Sequence, residues 1–241
     1  MKRLDKYLVE MSVASRSTIK EMARKGRITV NGTTVKASDI KIDEDNDIVA
    51  VDGQIIAYSH MEYFMLNKPA GVITATEDKH AATVLDLIKE RVRNDLFPVG
   101  RLDKDTEGLL LITNDGDLAH RLLAPKKHVD KVYFAIIEGI VTEAHIRVFA
   151  SGMKLLDGTD IMPGELEILE VNEEDATSRI LLTIHEGKFH QVKRMFEAVG
   201  TEVVYLKRLS MGPLVLDDAL APGGYRRLTD EELAMLKAAT T

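Results

Sequence analysis

The 241-residue chain contains no cysteine. That removes disulfides, thiolate nucleophiles and cysteine-ligated zinc together, and it fits a reducing cytoplasm. Long apolar runs are missing as well. No stretch approaches the roughly 18 residues needed to span a bilayer, and Met1-Lys2-Arg3-Leu4-Asp5 opens without a signal-peptide apolar region. The seven histidines (60, 80, 120, 128, 145, 185 and 190) form no His-x-x-x-His pair, which argues against a histidine-rich metal site. There is no Gly-rich phosphate loop, internal repeat or low-complexity segment. What remains has 45% hydrophobic residues and ordinary Gly and Pro content, so the whole chain is expected to fold, into one or two domains.

A net basic charge is also lacking: the chain carries −7. The charge is unevenly spread, however. Residues 1–41 hold ten Lys or Arg and four acids, so this segment is +6 and the remainder −13. Such asymmetry suggests a basic module that meets phosphate, attached to a more acidic body. Leu4, Leu8 and Met11 fall at helical spacing. Ser15 is placed to cap a second helix over 16–25, which Gly26 ends. Asn31-Gly32, between Ile28-Thr29-Val30 and Thr33-Thr34-Val35, signals a tight hairpin, and another strand is expected over 47–51. Arg16, Lys20, Arg24 and Arg27 make one basic stripe on a helix; with Arg3 and Lys25 they are the candidate RNA contacts. A solvated helix face is the ordinary account of such a stripe, and its position beside a basic hairpin favours RNA.

Residues 52–61 read as a linker. Beyond them, strands are expected over 63–66, 133–137, 166–171, 180–184 and 203–206. Helices are expected over 83–89, 117–123, 142–151, 190–199 and 230–239, the last opened by a Thr229-x-x-Glu232 capping box. Strands with sparse helices, without regular βα alternation, predict an α+β fold with a mixed sheet.

The most informative stretch is Gly100-Arg101-Leu102-Asp103-Lys104-Asp105-Thr106-Glu107-Gly108-Leu109-Leu110-Leu111-Ile112-Thr113. A charged loop runs directly into a short apolar run suited to a central strand with both faces covered, and Asp115-Gly116 then reads as a turn. Polar groups held beside a core strand are where catalytic side chains tend to sit. The pattern Asp103-x-Asp105-x-Glu107-Gly108 also imitates a calcium loop, but Asn114 stands where a bidentate Glu is needed and a strand replaces the exiting helix.

This stretch resembles the active-site motif of the RNA pseudouridine synthases, in the branch acting on ribosomal RNA, where the Asp of Gly-Arg-Leu-Asp is the catalytic carboxylate. Residues 1–59 resemble the S4 RNA-binding domain, through Ser15-Arg16-Ser17 and Gly26-Arg27-Ile28-Thr29-Val30-Asn31-Gly32. The resemblance implies a small S4-like domain over 1–59. It implies a catalytic domain over 60–241 with a central mixed, mostly antiparallel sheet. It assigns Asp103 the catalytic role. Tyr133, in Lys131-Val132-Tyr133, would stack on the target base. Lys193, in the stretch Glu186-Gly187-Lys188-Phe189-His190-Gln191-Val192-Lys193-Arg194-Met195, would pair with Asp103, and Leu206 would wall the pocket. Arg101 is a candidate phosphate contact.

The reaction breaks the N1–C1′ bond of uridine and rejoins the base through C5. Substrate and product are isomers, so no cofactor is implied. It needs a carboxylate beside sugar and base, a cation beside that carboxylate, and a flat side chain for the extruded base. Singly, Asp103 reads as a turn residue, Tyr133 as a packed strand ring and Lys193 as a solvated helix residue. Their joint occurrence in family order overrides those accounts. The expected activity is pseudouridine formation in 16S ribosomal RNA, at uridine 516 in the family, by a cytoplasmic monomer. Met162-Pro163-Gly164-Glu165-Leu166 and Lys126-Lys127-His128 favour the small-subunit branch by resemblance. Two alternatives stay open: the same chemistry on 23S rRNA, and a non-catalytic RNA-binding factor of ribosome assembly.

Overall fold

Apolar residues at helical spacing and a set of short β-branched runs supply the buried side chains around which the chain folds. The computed structural model describes residues 1–124 and 128–239. Lys126 and Lys127 of the Lys126-Lys127-His128 motif lie outside the described residues. The chain divides into two compact units. One comprises Met1–Glu62 with Lys89–Leu96; the other comprises Tyr63–Ile88 and the described residues from Phe97 onward. Among the described residues no helix is long and apolar enough to cross a membrane.

The first unit contains, in order, β1 (Lys2–Arg3), α1 (Leu4–Glu10), α2 (Arg16–Arg24), β2 (Ile28–Val30), β3 (Thr33–Thr34), β4 (Lys41–Ile42), β5 (Val49–Val51) and β6 (Gln54–Ile55). Leu4, Leu8, Met11 and Ile19 meet Ile28, Ile42, Val49 and Val51 in its core. The Ser15 hydroxyl accepts from Thr18 N at 3.3 Å, capping α2. Asn31 and Gly32 both take positive φ, 52° and 77°, as the β2–β3 hairpin requires.

The expected linker is in part ordered structure. Asp52-Gly53 repeats the tight turn, with φ of 50° and 82°, and sends β6 back along β5. Tyr58 follows, its hydroxyl donating to Glu10 at 2.7 Å. The Asp-Gly pair, set between Val49-Ala50-Val51 and Gln54-Ile55-Ile56, is itself a hairpin signal. Residues 89–96 join this unit through Arg93, which donates to Ser59 O at 2.8 Å and Asp95 Oδ1 at 2.8 Å. Glu62 accepts from the amides of Val92 and Arg93 at 3.0 and 2.8 Å.

The second unit contains β7 (Tyr63–Lys68), α3 (Val84–Leu87), β8 (Phe97–Pro98), β9 (Glu107–Thr113), α4 (Gly116–Leu123), β10 (Lys131–Glu138) and α5 (Glu143–Ala150). It continues with β11 (Met153–Lys154), β12 (Asp160–Ile161), β13 (Glu165–Asn172), β14 (Thr177–Ile184), α6 (Gln191–Ala198), β15 (Glu202–Met211), β16 (Leu214–Val215), β17 (Tyr225–Arg227) and α7 (Asp230–Ala238). The sheet runs β13-β14-β10-β15-β9-β7-β17, and off this path β8 pairs with β9 and β16 with β15. Among the described strands only β9 and β15 pair in parallel, so the sheet is mixed and mostly antiparallel, as the α+β reading expects.

Leu109, Leu110, Leu111, Ile112 and Thr113 are inaccessible to solvent, which places β9 as the covered central strand. Leu109 and Leu111 pack with Leu118 and Leu122 of α4 and Leu236 of α7. Asp115-Gly116 is not a free turn: Asp115 caps α4, accepting from Leu118 N at 2.9 Å, and Gly116 is the first helical residue. Aspartate suits turns and N-caps alike, and here the apolar spacing that follows decides for the helix. The Thr229 capping box of α7 is present in full.

Candidate active site

The Gly-Arg-Leu-Asp loop is held from beneath by the segment that follows β7. Gly71 N donates to Lys104 O at 2.8 Å, and Thr74 Oγ1 donates to Leu102 O at 2.7 Å. At the centre sits Lys68, wholly inaccessible to solvent, whose Nζ donates to the carbonyls of Pro69, Lys104 and Thr106 at 3.0, 3.2 and 2.8 Å. Burial pushes its amine down to about 8, against the pull of Asp105, Asp103 and Glu107. Thr106 N closes the loop on Asp103 O at 3.1 Å. These hydrogen bonds tie the loop down where it presents Asp103, whose side chain is 25% exposed.

Two side chains of the α6 junction face this carboxylate. Lys193 Nζ lies 3.5 Å from one oxygen of Asp103 and His190 Nε2 lies 3.4 Å from the other. Lys193 makes its short contacts with Asp105, at 2.6 and 2.7 Å, and that hydrogen bond holds the Asp105 carboxyl below its ordinary value. The cation is thus shared between two aspartates, with the longer contact to Asp103. Arg194 turns away, donating to Phe189 O at 3.2 Å and pairing with Asp157. Gln191 and Lys188 both engage Glu186: Gln191 Nε2 lies 3.3 Å from Glu186 Oε1, and Lys188 Nζ lies 3.0 Å from Oε2. Glu186 also accepts from the amide of Met162, in the Met162-Pro163-Gly164 segment, at 2.9 Å.

Strand register gathers the remaining candidates. Arg208 of β15 stands opposite Gly108 of β9 on one side and Tyr133 of β10 on the other. Leu206 stands opposite Ala135. Directly opposed residues share a sheet face and side chains alternate with period two, so Tyr133 and Leu206 lie on the same face. They are 7% and 6% exposed. Gly108 takes φ of +100°, and a Cβ there would stand 2.2 Å from Arg208 O, so no other residue permits β9 to approach β15 so closely. Arg101 and Lys104 are exposed on the loop, with no acid within salt-bridge distance among the described residues.

Lys68 and His190 take parts in the site that no motif assigns them, while Asp105 lies within the Gly-Arg-Leu-Asp stretch itself. A signal is available for Lys68: Asn67-Lys68-Pro69-Ala70-Gly71 leaves a strand at a Pro-Gly turn. Nothing local marks the pairings of His190 or Asp105, because their partners come from distant segments.

In the first unit the basic residues divide. Arg16, Lys20 and Arg24 are exposed on α2 and, with Arg3, Lys36 and the acids Asp5 and Asp39, line a groove of about 460 Å³. Arg3 pairs with Asp5 at 2.7 Å and Lys25 with Glu21 at 2.6 Å. Arg27 does not extend the stripe. Gly26, at φ of +71°, ends the helix, and Arg27 donates to Asp52 at 2.9 Å.

The model of the RNA pseudouridylate synthase family matches residues 62–198, and that of the S4 domain matches residues 2–49. The chain is 48% identical over 235 residues to an uncharacterized RNA pseudouridine synthase of Bacillus subtilis, covering 97% of this chain and 98% of that protein. It is 42% identical over 234 residues to the ribosomal small subunit pseudouridine synthase A of Escherichia coli, covering 96% and 98%. It is 39% identical over 238 residues to the ribosomal large subunit pseudouridine synthase B of Bacillus subtilis, covering 99% and 96%. A crystal structure of a pseudouridylate synthase superposes with a TM-score of 0.68 at 36% identity, over 98% of this chain and all of that one. With full-length relatives on both counts and a carboxylate loop on the central strand, this chain belongs to the RNA pseudouridylate synthase family and carries an S4 domain at its N-terminal end.

Proposed function

We propose that this enzyme converts a uridine of 16S ribosomal RNA to pseudouridine, with Asp103 as the catalytic carboxylate. The observation that carries the reading is Asp103 itself: partly exposed on a loop clamped by Lys68 and flanked by His190 and Lys193 within 3.5 Å. A nucleophile or base must be held in place while the nucleotide is extruded toward it. Lys193 supports the charge of the carboxylate, Tyr133 offers a ring to the extruded base, Leu206 walls the pocket, and Arg101 contacts a backbone phosphate. The N1–C1′ bond breaks, the freed base turns, C5 bonds to C1′, and the proton leaving C5 is balanced by one gained at N1.

The S4 unit binds rRNA through the Arg16, Lys20 and Arg24 groove, and the enzyme acts as a monomer in the cytoplasm. Small-subunit specificity is supported by the 42% identity to the Escherichia coli small-subunit enzyme. The second reading, 23S rRNA as substrate, draws on the 39% identity to a large-subunit enzyme over nearly the whole chain.

The test compares the protein with Asp103→Asn on unmodified small- and large-subunit rRNA, mapping pseudouridine by carbodiimide labelling and primer extension. One new stop in 16S rRNA, absent with the variant, is the expected result. A stop only in 23S rRNA overturns the substrate assignment. A stop that persists with Asp103→Asn overturns the role of Asp103. No stop in naked rRNA or partially assembled particles, with RNA binding retained, would indicate a binding factor.

A further inference from the structure

Of the six phenylalanines in the chain, Phe189 alone is exposed, at 70%. A lone exposed apolar side chain is ordinary on a protein surface, so exposure by itself marks nothing. This one is not loosely held. It stacks on the His190 ring at 3.7 Å between centroids and 19° between planes. His190 is a non-glycine residue at φ of +48°, a strained conformation of the kind that clusters at working sites. The backbone on either side is pinned: Lys188 N donates to Gln191 Oε1 at 2.9 Å, and Phe189 O accepts from Arg194, itself anchored by Asp157. One face of the Phe189 ring is covered by histidine and the ring is otherwise presented outward. The same histidine is 3.4 Å from Asp103.

We propose that the Phe189–His190 pair is a stacking platform for an RNA base adjacent to the target uridine. This rests on the reading of Asp103 as the reacting carboxylate. Extruding one nucleotide breaks its stacking with its neighbours, and a flat ring beside the extrusion site replaces what the neighbouring base loses. Every base has a π-face, so such a platform binds without reading sequence. Arg101 and Lys104, exposed and without acid partners among the described residues, supply charge for the adjoining phosphates.

Binding is tested in the Asp103→Asn background with unmodified 16S rRNA transcript, and single-turnover isomerisation in the Asp103 background, using Phe189→Ala, Phe189→Leu and Phe189→Trp. Loss of one base stack predicts a Kd weaker by about 5- to 150-fold for Ala. Leu should fall with Ala, and Trp should stay within about threefold of Phe on the same stacking argument. The slope of log K against log salt should not change, since no phosphate contact is lost, and the melting temperature of these surface variants should hold. Binding of Phe189→Ala within twofold of the parent overturns the proposal. So does full function of Phe189→Leu, which would leave only apolar bulk. So does a defect seen only in protein-bearing ribosomal particles, which would make the partner a protein. If Asp103→Asn itself isomerises RNA, the catalytic reading fails while the binding comparison still decides the platform.

Discussion

Replacing Lys68 by methionine isolates the clamp beneath the Asp103 loop. Methionine keeps the length of the side chain and removes both the charge and the donor. The carbonyls of Pro69, Lys104 and Thr106 would lose a partner now at 2.8 to 3.2 Å, at roughly 1–3 kcal/mol for each one left unsatisfied. Against this, an amine brought from 10.5 to about 8 by burial carries a penalty of about 3 kcal/mol while charged. The balance at pH 7 is a net loss of about 2 kcal/mol, or about 4–8 °C in Tm for a unit of this size.

The pH dependence is more diagnostic. The unfolded chain keeps its Lys68 proton up to 10.5, whereas the folded chain releases it near 8. Between those values the unfolded state binds more protons, so stability rises with pH. Lys131, also pushed to about 8 by burial and then by the Arg208 charge, acts in the same direction but is present in both proteins and cancels. The deficit of Lys68→Met should therefore widen by about 2 kcal/mol from pH 7 to pH 10. Pulse hydrogen exchange across a urea titration, read on the peptide spanning 107–113, reports the second unit by itself. A deficit that stays flat over this range would refute the clamp. Turnover should also fall at least tenfold with RNA affinity unchanged, because a loosened loop misplaces Asp103.

Lys193→Met should let the Asp105 carboxyl rise toward its ordinary value, visible in a carboxyl-carbon NMR titration. The wild-type pair contributes above the unfolded carboxyl pKa and is lost as pH falls through the lowered folded value, so the two proteins should converge in acid. Turnover of Lys193→Met should drop about 100-fold, with Lys193→Arg recovering part of it; an unchanged rate removes Lys193 from the site. Replacing Arg16, Lys20 and Arg24 together by alanine should flatten the slope of log K against log salt by about 2. A slope that does not move would make the groove on α2 an ordinary solvated face.

Local patterns account for much of this protein. The capping signals at Ser15 and Thr229, the Asn31-Gly32 hairpin and the apolar run into β9 depend on neighbours a few residues apart, so the sequence displays them directly. The Asp103, Tyr133 and Lys193 motifs are legible as motifs, and the split of charge along the chain suggests a basic module that meets phosphate. Only the tertiary structure decided what those motifs do to one another. The parallel register of β9 on β15, permitted by Gly108, sets Gly108, Arg208 and Tyr133 in one row although 25 residues separate the first and last and a hundred separate Gly108 from Arg208. The sharing of Lys193 between Asp105 and Asp103, the burial of Lys68 under the loop, the loss of Arg27 to Asp52 and the exposure of Phe189 follow from which distant segments pack together. No spacing rule encodes such contacts, because side-chain pairing and desolvation are set by the folded surroundings rather than by the local chain.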